Sequence, residues 1–232
     1  MGKKFSSDQH RRRVPYRDPR TTFLVVCEGQ TEEHYLHFIK GRLGRGTIRV
    51  ETDRGNSDCM SIVNLAVRHA RGDTQRGIDP QRYDQIWVLF DWDEHTDEVR
   101  RARQVAEAAG IQVGLSNPNF EVWLLWHFMD YMQCGCLKPH VDAALKKVWP
   151  HYVKGQKTNF NELPRNNDDP QQGVKHAIHR AEQARRYFGD HPESFTYPDD
   201  RPSTDVDQLL TSIIRAWESS HGPDEKCSLL SE

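Results

Sequence analysis

Three features of the sequence predict an α/β fold with a mainly parallel central sheet flanked by helices. Strand-length apolar runs alternate with amphipathic stretches in the order β-α-β-α-β-α-β-α over residues 21–132, the arrangement that builds a sheet covered on both faces. The two strongest runs, Phe23-Leu24-Val25-Val26-Cys27 and Ile86-Trp87-Val88-Leu89-Phe90, lack polar alternation, as strands buried on both faces do. Each then ends abruptly in acids, Glu28 after the first and Asp91 and Asp93 after the second. In open α/β sheets, ligands bind at that carboxyl rim.

Residues 1–20 carry Lys3, Lys4, Arg11, Arg12, Arg13, Arg17 and Arg20 against Asp8 and Asp18, with Pro15 and Pro19 and no apolar period. They read as a basic flexible arm that either touches nucleic acid or is merely solvated. The first strand is expected over 21–27. Gly29 frees a tight turn, Thr31 suits a helix N-cap, and Glu32 and Glu33 fall in the first turn, where the helix dipole favours acids. Tyr35, Leu36, Phe38, Ile39 and Leu43 give that helix its apolar face, and Gly44 or Gly46 ends it. A short strand at 47–51 leads to a helix opened by Ser57, with Met60, Ile62, Val63, Ala66 and Val67 inward. A polar loop at 71–82 precedes the third strand at 85–90. The third helix, 97–109, stops at Gly110, and the fourth strand spans 112–115. Pro118 suits the first turn of the next helix, which continues through Phe128.

After about residue 132 the strand pattern ceases. A helix near 141–148, a polar stretch at 154–172, a long helix at 173–188, a Pro-rich loop at 190–202 and a last helix to about 219 are expected. The organisation predicted is therefore an α/β domain at 21–132, a helical C-terminal subdomain at 133–220 and a flexible tail at 221–232.

The 232 residues have a formal net charge of -2, so nucleic-acid binding needs a local basic patch. Lys146, Lys147, His151, Lys154 and Lys157 offer one, interleaved with Trp149, Tyr152 and Phe160. That mixture suits a phosphate backbone with stacked bases, and equally a solvated helix face. The five cysteines are odd in number and unevenly spaced, which fits a reducing cytosol and a cytoplasmic location rather than a disulfide framework. Cys134-Gly135-Cys136 lacks the second pair of a zinc ribbon. No apolar stretch approaches a membrane span, so no membrane partner is expected. No G-x-x-x-x-G-K-[ST] is present, so ATP hydrolysis is not expected of this chain.

Chemistry concentrates in the acids. Glu28 directly follows five apolar residues, a costly position unless the carboxylate is solvated, paired or on a metal. The glycine turn brings Glu32 back over the same strand tip, although first-turn dipole complementation alone also accounts for it. Asp91 and Asp93 point the same way at strand spacing, or mark an ordinary strand exit. Glu121 either completes the cluster or simply favours a helix N-terminus. Ser116 and Asn117 are candidates to cap that helix or to contact a phosphate there. His34, His37 and His127 read as packing or surface histidines, and His95 as a surface residue close to the acids. A set of hard oxygen donors is what Mg2+ or Mn2+ takes.

Three segments carry a family resemblance: Val25-Val26-Cys27-Glu28-Gly29-Gln30-Thr31-Glu32, Phe90-Asp91-Trp92-Asp93-Glu94-His95, and Ser116-Asn117-Pro118-Asn119-Phe120-Glu121-Val122-Trp123. In that order they resemble the RloB / AbiLii family of bacterial abortive-infection proteins. Arg201-Pro202-Ser203-Thr204-Asp205-Val206 and the region of Tyr152 and Lys154 are similar as well. The resemblance implies a TOPRIM-like domain and a metal-dependent nuclease of phage defence, acting on DNA or RNA beside an AAA/ABC-type ATPase. It also implies that Glu28 and Glu32 serve one ion and Asp91 and Asp93 another, with Glu121 assisting. Lys154 is the candidate transition-state cation, although no motif fixes it. The leading expectation is phosphodiester hydrolysis with two Mg2+ or Mn2+ ions, one lowering the pKa of water and both offsetting charge at phosphorus. The rival is a non-catalytic sensor module of a defence complex that binds metal and nucleotide, or nucleic acid. Strand transfer would need a nucleophilic tyrosine, and nothing singles out Tyr35, Tyr83 or Tyr152. Self-association is left open.

Overall fold

The computed structural model describes residues 21–43, 48–52, 58–72, 83–92, 96–133, 135–156, 159–165, 173–188, 202–221 and 227–231. The expected basic arm, Asp93, Glu94, His95, Cys134 and Lys157 lie outside the described residues. Five strands, β1 (Phe23–Cys27), β2 (Ile48–Thr52), β3 (Gln85–Asp91), β4 (Gln112–Asn117) and β5 (Ser203–Thr204), form one sheet in the order β2-β1-β3-β4-β5. The first four are mutually parallel, and β5 runs antiparallel to β4. The two acid-tipped strands are direct neighbours: Cys27 lies opposite Leu89, and the Glu28 N–H continues the ladder to the Leu89 carbonyl at 3.0 Å.

The absence of polar alternation in β1 and β3 has its expected consequence. Phe23, Val25 and Cys27 of β1 and Trp87 and Leu89 of β3 enter one core, and Leu24, Val26, Val88 and Phe90 enter the other. The second core is closed by α2 (Cys59–Arg71), through Ile62, Val63 and Ala66, and by α3 (Thr96–Ala108), through Val99, Ala102 and Ala106. Asp58, one residue beyond the expected Ser57, caps α2 by accepting from the Ser61 N–H at 2.9 Å. Gly110, at φ 72°, turns the chain out of α3 in the left-handed region that favours glycine.

The first core is larger. It holds α1 (Gln30–Leu43), through Tyr35, Leu36, Ile39 and Leu43, together with α4 (Glu121–Trp126), α5 (Lys138–Val148), α6 (Val174–Phe188) and α7 (Val206–Ser220). Every residue of α4 is buried, so this two-turn helix is a plug whose register is set by packing. Trp123 meets Tyr35 and His127 edge-on, at ring separations of 6.2 and 5.2 Å. The helical C-terminal part thus shares one core with the sheet. Residues 227–231, expected to be tail, include the short helix α8 (Ser228–Ser231), with Cys227 and Leu229 buried in that core.

Several boundaries differ from expectation near the rim. β4 runs on through Ser116 and Asn117, which join the sheet instead of capping a helix. Pro118 precedes α4 and follows a cis peptide bond, and α4 starts only at Glu121, after Phe120 at the N-cap. Helix α1 begins at Gln30, so Thr31 lies inside it and is not its cap. The two-residue β5 was not foreseen. It is held by pairing and by the Ser116–Thr204 hydroxyl contact at 2.8 Å, which no apolar pattern signals.

Trp123→Ala should cost about 3–5 kcal/mol of stability, the usual range for emptying a large buried aromatic site. Urea unfolding followed by fluorescence and circular dichroism measures it, and a loss below about 1 kcal/mol would show that α4 is not the plug of this core.

Candidate metal centre

The acids meet where β1 and β3 end. Glu28 leaves β1 beside Asp91, whose backbone N–H donates to Glu28 Oε2 at 3.0 Å. The strand-end glutamate therefore clamps the neighbouring strand end, an interaction available only because the two strands are adjacent and parallel. Glu32 lies in the first turn of α1 and is buried. A Cβ on Gly29 would stand 2.5 Å from Glu32 Oε2, so the missing side chain at Gly29 is what lets the Glu32 carboxylate lie over the turn.

Glu121 arrives from the other side, at the first position of α4, with a relative exposure of 1%. Both of its oxygens are engaged. The Tyr152 hydroxyl donates to Oε1 at 2.7 Å and the Lys154 ammonium to Oε2 at 2.9 Å. Tyr152 also lies 3.4 Å from the Thr31 hydroxyl, and the Gly155 N–H donates to Thr31 Oγ1 at 3.5 Å. The turn after α5 is thus tied to the start of α1 and the start of α4 at once. Next to Glu121, the Asn119 amide, fully buried, donates to Asp142 Oδ1 at 2.9 Å.

The electrostatics follow from burying several carboxylates together. Burial raises the Glu32 pKa to about 7, with Glu121 and Glu28 adding to the rise, while its backbone hydrogen bond and Lys154 oppose it. Burial likewise pushes Asp91 well above the usual carboxylate range, and the charges of Glu32, Glu28 and Glu121 push the same way against Lys154. Lys154 is half-exposed. Burial lowers its pKa, but the charge and hydrogen bond of Glu121, with Asp91 and Asp142 behind them, outweigh that and hold the ammonium above its ordinary value. Tyr152 is buried beside Glu121 and is pushed upward, so it stays a protonated donor.

The structure brings together Glu28, Glu32, Asp91, Glu121 and Lys154, while Asp93 lies outside the described residues. Tyr152 and Thr31 are parts of the centre that sequence reasoning did not assign to it. The available signals are the nearness of Tyr152 to Lys154 and the place of both Thr31 and Tyr152 in segments that carry the family resemblance. The expected aromatic partners for bases are not available, because Trp149, Tyr152 and Phe160 are buried, with Trp149 against Tyr152 and Phe160 at 5.3 and 5.8 Å. Lys146 and Lys147 are exposed. His37 is exposed and 3.7 Å from Glu33. His127 is fully buried against the Tyr35 hydroxyl at 3.3 Å and is pushed down to about 3 by burial and by Arg180, which keeps it neutral.

The donors are all hard oxygens, the chemistry that Mg2+ and Mn2+ take. Among the described residues, Asp91 Oδ1 is buried without a hydrogen-bond partner, an acceptor suited to a cation. The residues therefore fit such an ion in kind. Among the described residues, no three of His, Cys, Asp and Glu form a ready-made ligand group.

A family model described as RloB-like protein matches residues 23–213. The chain belongs to the RloB-like family. The matched span starts with β1 and ends within α7, so it contains the acidic strand ends, the segment leading to Glu121, the Tyr152–Lys154 turn and β5. No curated protein and no solved structure matches the chain. Among its described residues, no helix of this RloB-like protein is long and apolar enough to cross a membrane.

A carboxyl group whose folded pKa is raised binds its proton more tightly in the native state than in the unfolded chain. Its contribution to stability therefore falls as pH rises from the unfolded value of 4.5 towards about 7. In metal-free protein, Glu32→Gln should gain stability over wild type progressively across that window, and show no gain below it. Thermal melts in a chelator-containing pH series measure this, and a pH-independent difference would contradict the assigned environment of Glu32.

Proposed function

We propose that this RloB-like protein is a divalent-metal-dependent nuclease that hydrolyses phosphodiester bonds of DNA or RNA through a TOPRIM-like site. The observation that supports this reading is the convergence of Glu28, Glu32, Asp91 and Glu121, with Lys154, at the carboxyl ends of adjacent parallel strands. Burying that many acids destabilises the fold unless something cationic binds there. Glu28, Glu32 and Asp91 would hold Mg2+ or Mn2+, with Asp93 beside Asp91 in the chain. When bound, such an ion polarises a phosphoryl oxygen and makes water more acidic.

The chain's own groups do the rest. The Asp91 N–H bond to Glu28 fixes the two strand tips relative to each other. Tyr152 and Lys154 fix Glu121. The Lys154 charge already lowers the pKa values of Glu32 and Asp91, and at half exposure it can offset negative charge on an incoming phosphate. Exposed Lys146 and Lys147 on α5 supply further positive charge for a nucleic-acid backbone. A role in bacterial anti-phage defence, in the cytoplasm and beside an AAA/ABC-type ATPase, is part of the same proposal and rests on the family resemblance.

Cleavage of plasmid DNA and of RNA should require Mg2+ or Mn2+ and fall at least 100-fold in Glu28→Ala and Asp91→Ala. Undiminished cleavage in both variants would sink the site assignment. Stoichiometric metal binding without any cleavage, with an ATPase partner present, would favour the sensor module instead.

A further inference from the structure

Glu121 is the acid whose surroundings differ from those of the others. Glu32 and Asp91 are buried among carboxylates, and Asp91 Oδ1 has no hydrogen-bond partner among the described residues. Glu121 has a donor on each oxygen, one of them a cation. A divalent ion on Glu121 would have to come within about 2.0–2.5 Å of an oxygen. Oε2 already has an ammonium 2.9 Å away, and Oε1 a hydroxyl 2.7 Å away. An ion on Glu121 must therefore displace the ammonium or the hydroxyl, or share an oxygen with one of them against the charge of Lys154. The lysine is no bystander either, since its charge reaches both Asp91 and Glu32. Nor is its position accidental. Tyr152 and Gly155, on either side of it, are bonded to Glu121 and Thr31, and they hold the turn that presents it.

We infer that the Lys154 ammonium stands where a second divalent cation would otherwise bind, so that the centre loads one divalent ion on the side of Glu28, Glu32 and Asp91, and Glu121 anchors the lysine instead of ligating metal. The inference rests on the metal reading above and fixes the number of ions. Glu121 and Tyr152 are positioning residues: they act on substrate only through where they hold Lys154. Half-exposed, Lys154 keeps one side towards solvent, from which a phosphate would approach.

Mn2+ titration of the full chain by calorimetry, with electron paramagnetic resonance of the loaded protein, tests this without reference to activity. Wild type should bind one Mn2+. Asp91→Asn should weaken binding at least tenfold, whereas Glu121→Gln should keep one ion with less than a threefold change. Lys154→Met should admit a second Mn2+ and show the spin-coupled pair absent from wild type. Two ions in wild type, loss of an ion in Glu121→Gln, or one ion still in Lys154→Met would each overturn the inference while leaving a metal nuclease intact. No Mn2+ binding in wild type would overturn the metal reading and this inference with it. Lys154 is half-exposed, so Lys154→Met keeps the test decisive even if circular dichroism shows that Glu121→Gln fails to fold.

Discussion

Like-charged carboxylates forced together out of water are the constraint around which this protein is built. Burial raises the proton affinities of Glu32 and Asp91, and the neighbouring charges of Glu28 and Glu121 raise them further. A fold does not keep such an arrangement through apolar packing, which gains nothing from it. It persists because each acid has a specific partner or a specific vacancy of size. Glu28 accepts the Asp91 backbone N–H, Glu32 lies over a residue with no side chain, and Glu121 binds Tyr152 and Lys154. Asp91 Oδ1 is the exception: among the described residues it is a buried acceptor without a donor, a costly arrangement at the end of two strands.

The remainder of the rim keeps these tips from splaying. β4 flanks β3 on the side away from β1, and the Trp92 N–H donates to the Ser116 carbonyl at 2.7 Å just past the acidic strand end. β4 is in turn locked by the segment around β5. The Asp205 carboxylate accepts from the Leu115 N–H at 3.3 Å, and the Asp205 N–H donates to the Leu115 carbonyl at 2.9 Å. Arg185 of α6 bonds the Thr204 carbonyl at 3.2 Å and Asp207 at 2.5 Å. Residues 203–205, within the late segment that carries the family resemblance, thus brace β4.

Much of this was legible because it depends on local pattern. Unalternating apolar runs identify doubly buried strands, and the acids that end them mark the rim, so Glu28, Glu32 and Asp91 could be named from spacing alone. The errors share a cause. Thr31 was read as a cap and Ser116 and Asn117 as capping candidates, because hydroxyls and amides beside a helix start usually do that. Here Thr31 is taken by Tyr152 and Gly155 and Ser116 by Thr204, while Asn117 pairs with Ser203 in the sheet. Trp149, Tyr152 and Phe160 looked like a stacking surface because they alternate with lysines. Their rings instead fill the core beneath α1, while Lys146, Lys147, His151 and Lys154 reach solvent.

By itself the sequence determined the α/β class, the order of the elements and the strand ends that carry acid. These follow from the periodicity of burial and from the cost of placing a carboxylate at the end of an apolar run. Tertiary structure decided that β1 and β3 are neighbours, that α4 delivers Glu121 to their tips, and that a turn after α5 brings Lys154 and Tyr152 onto it. Glu121 and Lys154 are separated by 33 positions, and Thr31 and Tyr152 by 121. No local period relates residues so far apart. They meet because the second half of the chain must bury its apolar faces on the sheet surface that α1 leaves open, and that packing sets the charges around the acids.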